Sequence, residues 1–238
     1  MPYTSITIIV SPYHVGIPNH RVGTGPNRIL SHNLADKLES LTPIRFVNIG
    51  PVDDFEGEIG RTFELLRHTS TAVSQAVAAN SFPLVLSGNC YVSTAVAAGL
   101  NATVPDLNVL GIDAHDDLDT PSTNENGYLD AMALSMAAGM SWHKLMGSVP
   151  GHKPLSLERV AYCGLRDVSE LQRKTVTEAG VDVIWGDAER KEDEADVFGC
   201  VFLNAELEGG DTVARLAVKG IVHFVEGLVQ TEVLKGAR

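Results

Sequence analysis

The chain has 238 residues, which suits one domain, and its 18 lysines and arginines against 30 aspartates and glutamates give a formal net charge of −12. This charge argues against binding to nucleic acid or to an anionic membrane, because both need clustered basic side chains. Three cysteines without a CxxC pair favour a reducing compartment, and no apolar run approaches the ~18 residues of a membrane span. We therefore expect a cytoplasmic protein that acts on a small molecule.

Short apolar runs alternate with longer helical patterns along the chain. In chain order, strands are predicted at 6–10, 45–49, 82–86, 107–112, 159–163, 181–185 and 197–203. Helices are predicted at 28–41, 57–80, 91–101, 127–146, 167–179 and 211–230. Strands that alternate with helices form βαβ units and a parallel sheet covered on both faces. The sequence thus predicts one α/β domain over residues 1–238, with three α/β/α layers around a central parallel sheet.

An acidic cluster follows the strand predicted at 107–112. It consists of Asp113, His115, Asp116, Asp117 and Asp119. Ligands of open α/β sheets bind at the carboxyl ends of strands, and residues two apart share a face if the strand geometry continues. Two carboxylates and an imidazole on one face would hold a hard divalent cation such as Mn²⁺. The same residues would also suit a plain turn or a helix N-cap.

Two other predicted strands also end in groups that can bind a metal. Cys90 closely follows the strand at 82–86, and Glu206 and Glu208 follow the strand at 197–203. The two glutamates are two residues apart and can face the same way. If the strands are parallel, these side chains converge with the acidic cluster at one edge of the sheet.

Four short motifs resemble those of the arginase/agmatinase (ureohydrolase) family. Within 113–121, the Asp-Ala-His-x-Asp motif is intact and Asp-Thr-Pro stands where the family has Asn-Thr-Pro. Ser-Gly-Asn-Cys at 87–90 corresponds to a Gly-Gly-Asp-His type motif. Gly-Leu-Arg-Asp at 164–167 and Gly-Thr-Gly-Pro at 23–26 are also typical of the family. The resemblance covers about residues 6–211 and implies the ureohydrolase fold with a shortened C-terminus.

The resemblance also implies a site with two Mn²⁺ ions that bridge a hydroxide, which attacks a guanidinium or amidine carbon. Asp113 and Glu206 would bridge the two ions. His115 would bind one ion and Asp117 the other, with Glu208 as a terminal ligand.

Several ligand positions depart from the family pattern. Cys90 stands where the first metal ligand of the family is usually His, although a subset of the family carries Gly-Asn-Cys. Cys90 could be a metal ligand or a small buried apolar residue. Glu206 and Glu208 are each one methylene longer than the usual Asp, and metal–oxygen distances are fixed within ~0.2 Å. In a second alignment, residues 202–205 correspond to a later strand of the family and the two glutamates are not ligands. The sequence therefore leaves open whether the site binds two metal ions, one or none.

Substrate-handling positions differ as well. The His that serves arginases as a proton shuttle is Asp130 here, which could relay protons or mark a helix N-terminus. The carboxylate that holds a substrate α-amino group is Ser169, so arginine itself is not expected as the substrate. The candidate catalytic residues are Cys90, Asp116 and Asp130. The candidate substrate contacts are Asp119, Asn126, Ser169 and His20. His20, beside Arg21, would contact an anionic group or be a plain loop residue.

The leading interpretation is a metal-dependent hydrolase that acts on a C–N bond of a small amidino or guanidino compound. One alternative keeps the fold but uses metal-poor or metal-free chemistry, such as isomerisation, cyclisation or elimination. Another is a non-catalytic relative that assembles with an active homologue, because the Glu that grips the guanidinium in the family has no counterpart in either alignment. Family members are commonly trimers or hexamers, so a homo-oligomer is expected, as a trimer, a hexamer or a dimer.

Overall fold

A computed structural model describes residues 2–54, 56–104, 106–186 and 211–236, with side chains in the last range from residue 214. Its strands are β1 (Ser5–Ser11), β2 (Tyr13–His14), β3 (Ile17–Pro18), β4 (Ile44–Asn48), β5 (Ser81–Ser87), β6 (Val109–Ile112), β7 (Val160–Leu165) and β8 (Asp182–Trp185). Its helices are α1 (Gly25–Ser31), α2 (Leu34–Glu39), α3 (Glu58–Ala78), α4 (Val92–Leu100), α5 (Ala133–Ala137), α6 (His143–Met146), α7 (Glu170–Glu178) and α8 (Asp211–Gln230). Short 3₁₀ helices lie at Arg21–Thr24, Leu129–Met132 and Leu157–Arg159. None of the described helices combines the length and the apolar character needed to cross a membrane.

Six of the strands form two parallel sheets, in the orders β4–β1–β5 and β6–β7–β8. In the first sheet Ile8 of β1 pairs with Phe46 on one side and Leu84 on the other. In the second sheet Gly111 of β6 pairs with Tyr162 of β7. β2 and β3 form a short antiparallel hairpin directly after β1. The predicted parallel α/β architecture is confirmed, and its described strands pair within these two sheets.

Helices cover the first sheet on both faces. Ile6, Ile8 and Val10 of β1 pack into one cluster with side chains of α1, α2 and α8. Ile9, which points to the opposite face because side chains alternate along a strand, packs with Val73 of α3. All seven residues of β1 are buried, as expected for the central strand of a sheet covered on both sides. These contacts account for the predicted three layers.

Two helices predicted as continuous are broken in the structure. The segment 28–41 is divided into α1 and α2 at Asn33, whose φ of 60° is left-handed. The segment 127–146 is divided where Gly139, at φ 70°, ends α5 and the next backbone N–H donates to the carbonyl of Ser135 at 2.8 Å. A left-handed residue ends regular i to i−4 hydrogen bonding, and this geometry is a common helix C-cap. Apolar periodicity continues across such breaks, so it does not reveal them.

The last predicted strand and the last two predicted metal ligands lie within residues 187–210. The strand predicted at 197–203, together with Glu206 and Glu208, lies outside the described residues. Their part in a metal site therefore stays a prediction.

Candidate metal centre

The turn after β6 carries the acidic cluster. It is held by hydrogen bonds with β7 and with the turn that follows β7. The backbone N–H of Asp113 donates to the carbonyl of Cys163 at 3.2 Å, and that of Asp167 donates to the carbonyl of Ala114 at 3.0 Å. Asp117 has a left-handed φ of 50°, which short polar residues tolerate better than others do. Asp113 and Asp117 are buried in this turn, with 6% and 8% of each residue exposed.

Cys90 lies in the turn between β5 and α4, where backbones pack closely. A Cβ atom at Gly88 would overlap the carbonyl of Tyr13 and the backbone of Gly23. A Cβ at Gly23 would likewise overlap the backbone of Tyr13. Only glycine permits this approach, so the Gly-Thr-Gly-Pro and Ser-Gly-Asn-Cys motifs meet here. Their contact brings Cys90 beside the end of β6.

The thiol of Cys90 and the carboxylates of Asp113 and Asp117 form a compact group, called here the thiol–carboxylate group. One potential ligand atom from each residue lies within 4.8 Å of those from the other two. Burial and the charges of Asp113 and Asp130 raise the pKa of Asp117. Burial, followed by the nearby carboxylates, also raises the pKa of the Cys90 thiol.

A divalent cation fits this donor set on chemical grounds. Buried acids that repel one another are stabilised by a positive charge, and a coordinating thiol is deprotonated by the ion that it binds. Carboxylates suit Mn²⁺, whereas the thiolate adds affinity for softer ions. The structure brings Cys90, Asp113 and Asp117 together, and their role as metal ligands stays a prediction.

His115 lies at the side of the thiol–carboxylate group. Its Nδ1 is 3.6 Å from Asp113 Oδ1, and its Nε2 is 3.3 Å from Asp167 Oδ2. The interaction with the Asp113 carboxylate is the main cause that raises the pKa of His115 to about 9. More than half of the His115 side chain is exposed. The ring thus contacts two carboxylates, and its role as a metal ligand stays a prediction.

Asp130 is buried near the start of α4 and accepts several hydrogen bonds. The Asn89 amide donates to it at 2.6 Å, the Tyr91 backbone N–H at 3.2 Å and the Tyr128 hydroxyl at 2.9 Å. Burial raises the pKa of Asp130, and these hydrogen bonds oppose the rise. A carboxylate in this position stabilises the free N–H groups of a helix N-terminus. The contacts favour this role over proton relay and orient Asn89 next to Cys90.

The remaining candidates near the acidic turn are held by local contacts. Asp116 is buried, which raises its pKa. Asp119 accepts a hydrogen bond from the Asn124 amide at 2.9 Å, and Asn126 Oδ1 accepts one from the Tyr128 N–H at 3.0 Å. Asp116, Asp119 and Asn126 do not belong to the thiol–carboxylate group among the described residues. Their catalytic and substrate-binding roles stay predictions.

Ser169 is the N-cap residue of α7. Its Oγ accepts a hydrogen bond from the Gln172 N–H at 3.2 Å, and the Gln172 side chain accepts one from the Ser169 N–H at 2.9 Å. This reciprocal pair is a capping box. Because the Ser169 hydroxyl also lies 2.9 Å from Gln172 Oε1, both of its hydrogen-bonding functions are used within the helix.

His20 lies in the loop after β1, beside a buried histidine that the sequence did not identify as a site residue. The ring centroids of His14 and His20 are 5.7 Å apart, and His14 Nδ1 is 3.3 Å from Asn89 Nδ2. The Tyr128 ring is 6.4 Å from that of His14. His14 and Asn89 are separated by 75 positions, so no local pattern in the sequence could have revealed the contact.

Sequence comparisons with known proteins point to one family. A sequence model of the Arginase family matches residues 4–198. N(omega)-hydroxy-L-arginine amidinohydrolase of Streptomyces lavendulae is 33% identical over 132 residues, which cover 56% of this chain and 46% of that protein. Arginase of Bacillus subtilis is 26% identical over 189 residues, which cover 75% of this chain and 63% of that protein. The chain thus spans only part of the length of these relatives.

Solved structures of arginases share the fold. Bacillus subtilis arginase superposes with a TM-score of 0.68 at 25% identity, covering 82% of this chain and 66% of that one. Bacillus cereus arginase gives a TM-score of 0.70 at 22% identity over the same shares. Since the family model covers most of the sequence and the site motifs converge in the structure, this chain belongs to the Arginase family.

Proposed function

We propose that this chain is a metal-dependent hydrolase that cleaves a C–N bond in a small amidino or guanidino compound other than arginine. The observation that carries the proposal is the thiol–carboxylate group, formed by Cys90, Asp113 and Asp117 at the carboxyl ends of β5 and β6. The two relatives are named as an amidinohydrolase and an arginase, which supports hydrolysis at an amidino carbon.

The described donors would hold one divalent cation, for which we propose Mn²⁺. Cys90, Asp113 and Asp117 are its candidate ligands, and His115, whose Nδ1 lies 3.6 Å from Asp113 Oδ1, is a further candidate. A second ion would depend on Glu206 and Glu208. When bound, such a cation lowers the pKa of a water molecule so that hydroxide is available at neutral pH.

The residues of the chain supply positioning. In the overall reaction the amidino carbon gains the oxygen of water, and the departing nitrogen gains a proton. Asp130 holds the Asn89 side chain and the backbone N–H of Tyr91, the residue before α4, so we assign it a positioning role next to Cys90. The Ser169 hydroxyl is occupied in a capping box, which supports a substrate other than arginine because no carboxylate stands at that position.

Metal content and hydrolysis, measured on the same samples, test the proposal. Protein purified without chelator is incubated with Mn²⁺, dialysed and analysed by mass spectrometry. Release of urea or ammonia is then measured on a panel of guanidino and amidino compounds. We expect retained Mn²⁺ near one ion per chain, or near two if the glutamates contribute, and Asp113→Ala should lose both metal and activity.

A surface carboxylate provides the control. Asp106 forms an ion pair with Arg159 at 3.0 Å and is mostly exposed, so Asp106→Asn should retain metal and activity. Full activity in Asp113→Ala, or wild-type protein that retains no metal, would contradict the proposal.

A further inference from the structure

A cleft at the junction of α1, α2 and α8 is lined by basic side chains, although the chain carries a formal net charge of −12. The cleft has a volume of about 250 Å³. Lys37 of α2 lines it together with Arg215 and Lys219 of α8, and His32 and Asn33 line it between α1 and α2. The described residues that line it include no aspartate or glutamate, and none of them belongs to the thiol–carboxylate group.

The packing of α8 on α2 sets the positions of these charges. Val218 of α8 is buried in the same hydrophobic cluster as Leu38 of α2, and it lines the cleft. Arg215 and Lys219 lie one helical turn apart on the side of α8 near Val218, and Lys37 directly precedes Leu38. Apolar contacts of the core therefore hold three exposed cations around one cleft.

The positive charges of the cleft repel one another. α8 contains two lysines and arginines in all, Arg215 and Lys219, and both line the cleft. They are four residues apart, a spacing at which like charges destabilise a helix. Neither Lys37 nor Lys219 forms an ion pair with a carboxylate in the described part of the chain. An anion in the cleft would relieve this repulsion.

Neutral hydrogen-bond donors lie beside the cations. Asn33 is the N-cap residue of α2, where an asparagine side chain usually accepts a backbone hydrogen bond of its helix. Here Asn33 has a φ of 60° and makes no such bond, and it lines the cleft. Its amide nitrogen can donate two hydrogen bonds, and a neutral imidazole such as that of His32 can donate one. The cleft thus combines charged and neutral donors.

We propose that this cleft binds a phosphate group, either as the free anion or as part of a small ester. A phosphate group carries a charge of about −1.5 to −2 at pH 7 and three acceptor oxygens, so it can face cations on two helices at once. Arginine binds phosphate with two parallel N–H donors, and lysine binds it as a point charge. The cleft is smaller than the ~300–1,000 Å³ of pockets that hold drug-sized ligands. The ligand is therefore small, and it bridges α8 and the α1–α2 junction.

Calorimetry with inorganic phosphate tests the site on the full chain at constant ionic strength. We expect wild-type protein to bind phosphate, and Arg215→Gln and Lys219→Gln each to weaken the binding about tenfold or more, because each removes a charged donor. Lys153→Gln removes the same charge from an exposed residue outside the cleft, beside the end of α4, and should keep the wild-type affinity. Glycerol 3-phosphate distinguishes the two forms of the ligand: tighter binding than that of phosphate would assign an ester, and weaker binding the free anion.

Urea denaturation gives a second measurement. Phosphate stabilises proteins in general because it is excluded from their surface, and this effect is common to wild type and variants. A ligand of the folded state adds a further gain, so phosphate in place of chloride should stabilise wild type more than Lys219→Gln. None of these variants changes the thiol–carboxylate group, so phosphate bound there would not alter the comparison.

Three results would overturn the proposal. The first is that wild-type protein does not bind phosphate. The second is that Arg215→Gln and Lys219→Gln bind it with the wild-type affinity. The third is that Lys153→Gln loses as much affinity as they do, since the loss would then follow from net charge alone.

Discussion

Burial, followed by the charges of Asp113 and Asp130, raises the pKa of Asp117. A buried, unpaired carboxylate costs folding free energy unless a proton or a cation neutralises it. The sequence indicated Asp113 and Asp117 because they lie four residues apart directly after a strand. It left Asp130 open as a proton relay or as a helix N-terminal charge. The hydrogen bonds that Asp130 accepts from Asn89 and Tyr91 favour the second role.

His14 makes the stability of the fold depend on pH. Its pKa is lowered by burial and by the charges of Arg21 and His20. Between this lowered pKa and the ordinary value of 6.5, the unfolded chain binds more protons than the folded protein does. The contribution of neutral His14 to the stability of the fold is thus fully present above pH 6.5 and is lost as the pH falls. We expect the free energy of unfolding, measured by urea denaturation, to fall less in His14→Gln than in wild type as the pH is lowered from about 7.5 to 5.5.

The control for this measurement is His223→Gln, which replaces an exposed histidine on α8. This variant should follow the wild-type dependence of stability on pH. If His14→Gln also followed the wild-type dependence, the buried imidazole could not be its source.

At the scale of elements, α7 shows how a site position can serve the local fold. Ser169 is the N-cap residue of this helix and forms a capping box with Gln172. We expect Ser169→Ala to lower the free energy of unfolding by ~1 kcal/mol, because the free N–H groups at the helix start lose their acceptor. Urea denaturation measures the loss, and the KM of any substrate found should stay at the wild-type value.

An exposed serine near the end of α2 provides a comparison. The Ser40 hydroxyl donates to the Lys37 carbonyl at 2.7 Å, within the same turn of the chain, so Ser40→Ala should change stability by less than ~0.5 kcal/mol. A large increase of KM in Ser169→Ala with unchanged stability would instead support the substrate contact that the sequence suggested.

At the scale of the whole molecule, the two sheets are built around separate hydrophobic clusters. Trp142 packs against the cluster that contains Phe63 of α3. Trp185, on β8, packs against the cluster that contains Leu165 of β7. That the chain forms one domain stays a prediction, as does the expected homo-oligomer.

The two tryptophans allow a test of the single domain. Trp142→Phe leaves Trp185 as the fluorescent reporter of the second sheet, and Trp185→Phe leaves Trp142 as the reporter of the first. If one domain unfolds cooperatively, both variants should show coincident transitions by fluorescence and by far-UV circular dichroism. Fluorescence transitions at clearly different urea concentrations, with unchanged total stability in each variant, would indicate two units.

The sequence alone determined the class of fold and part of the site. Six predicted strands and most helices are present with ends shifted by a few residues, because periodicity of apolar side chains is a local property of the chain. It also predicted that Cys90 would lie near the acidic turn, and the two lie together in the structure although β5 and β6 belong to different sheets. The sequence did not predict the helix breaks at Asn33 and Gly139, because a left-handed residue leaves the apolar pattern unchanged.

Only the tertiary structure decided what surrounds the thiol–carboxylate group. The contact of His14 with Asn89 and that of Asn89 with Asp130 join residues 75 and 41 positions apart. Such contacts depend on how loops pack at the edge of the sheet, and this packing follows from close backbone approach at Gly23 and Gly88. The strand pattern fixes where a site can form, whereas the long-range packing of its loops fixes which side chains face it.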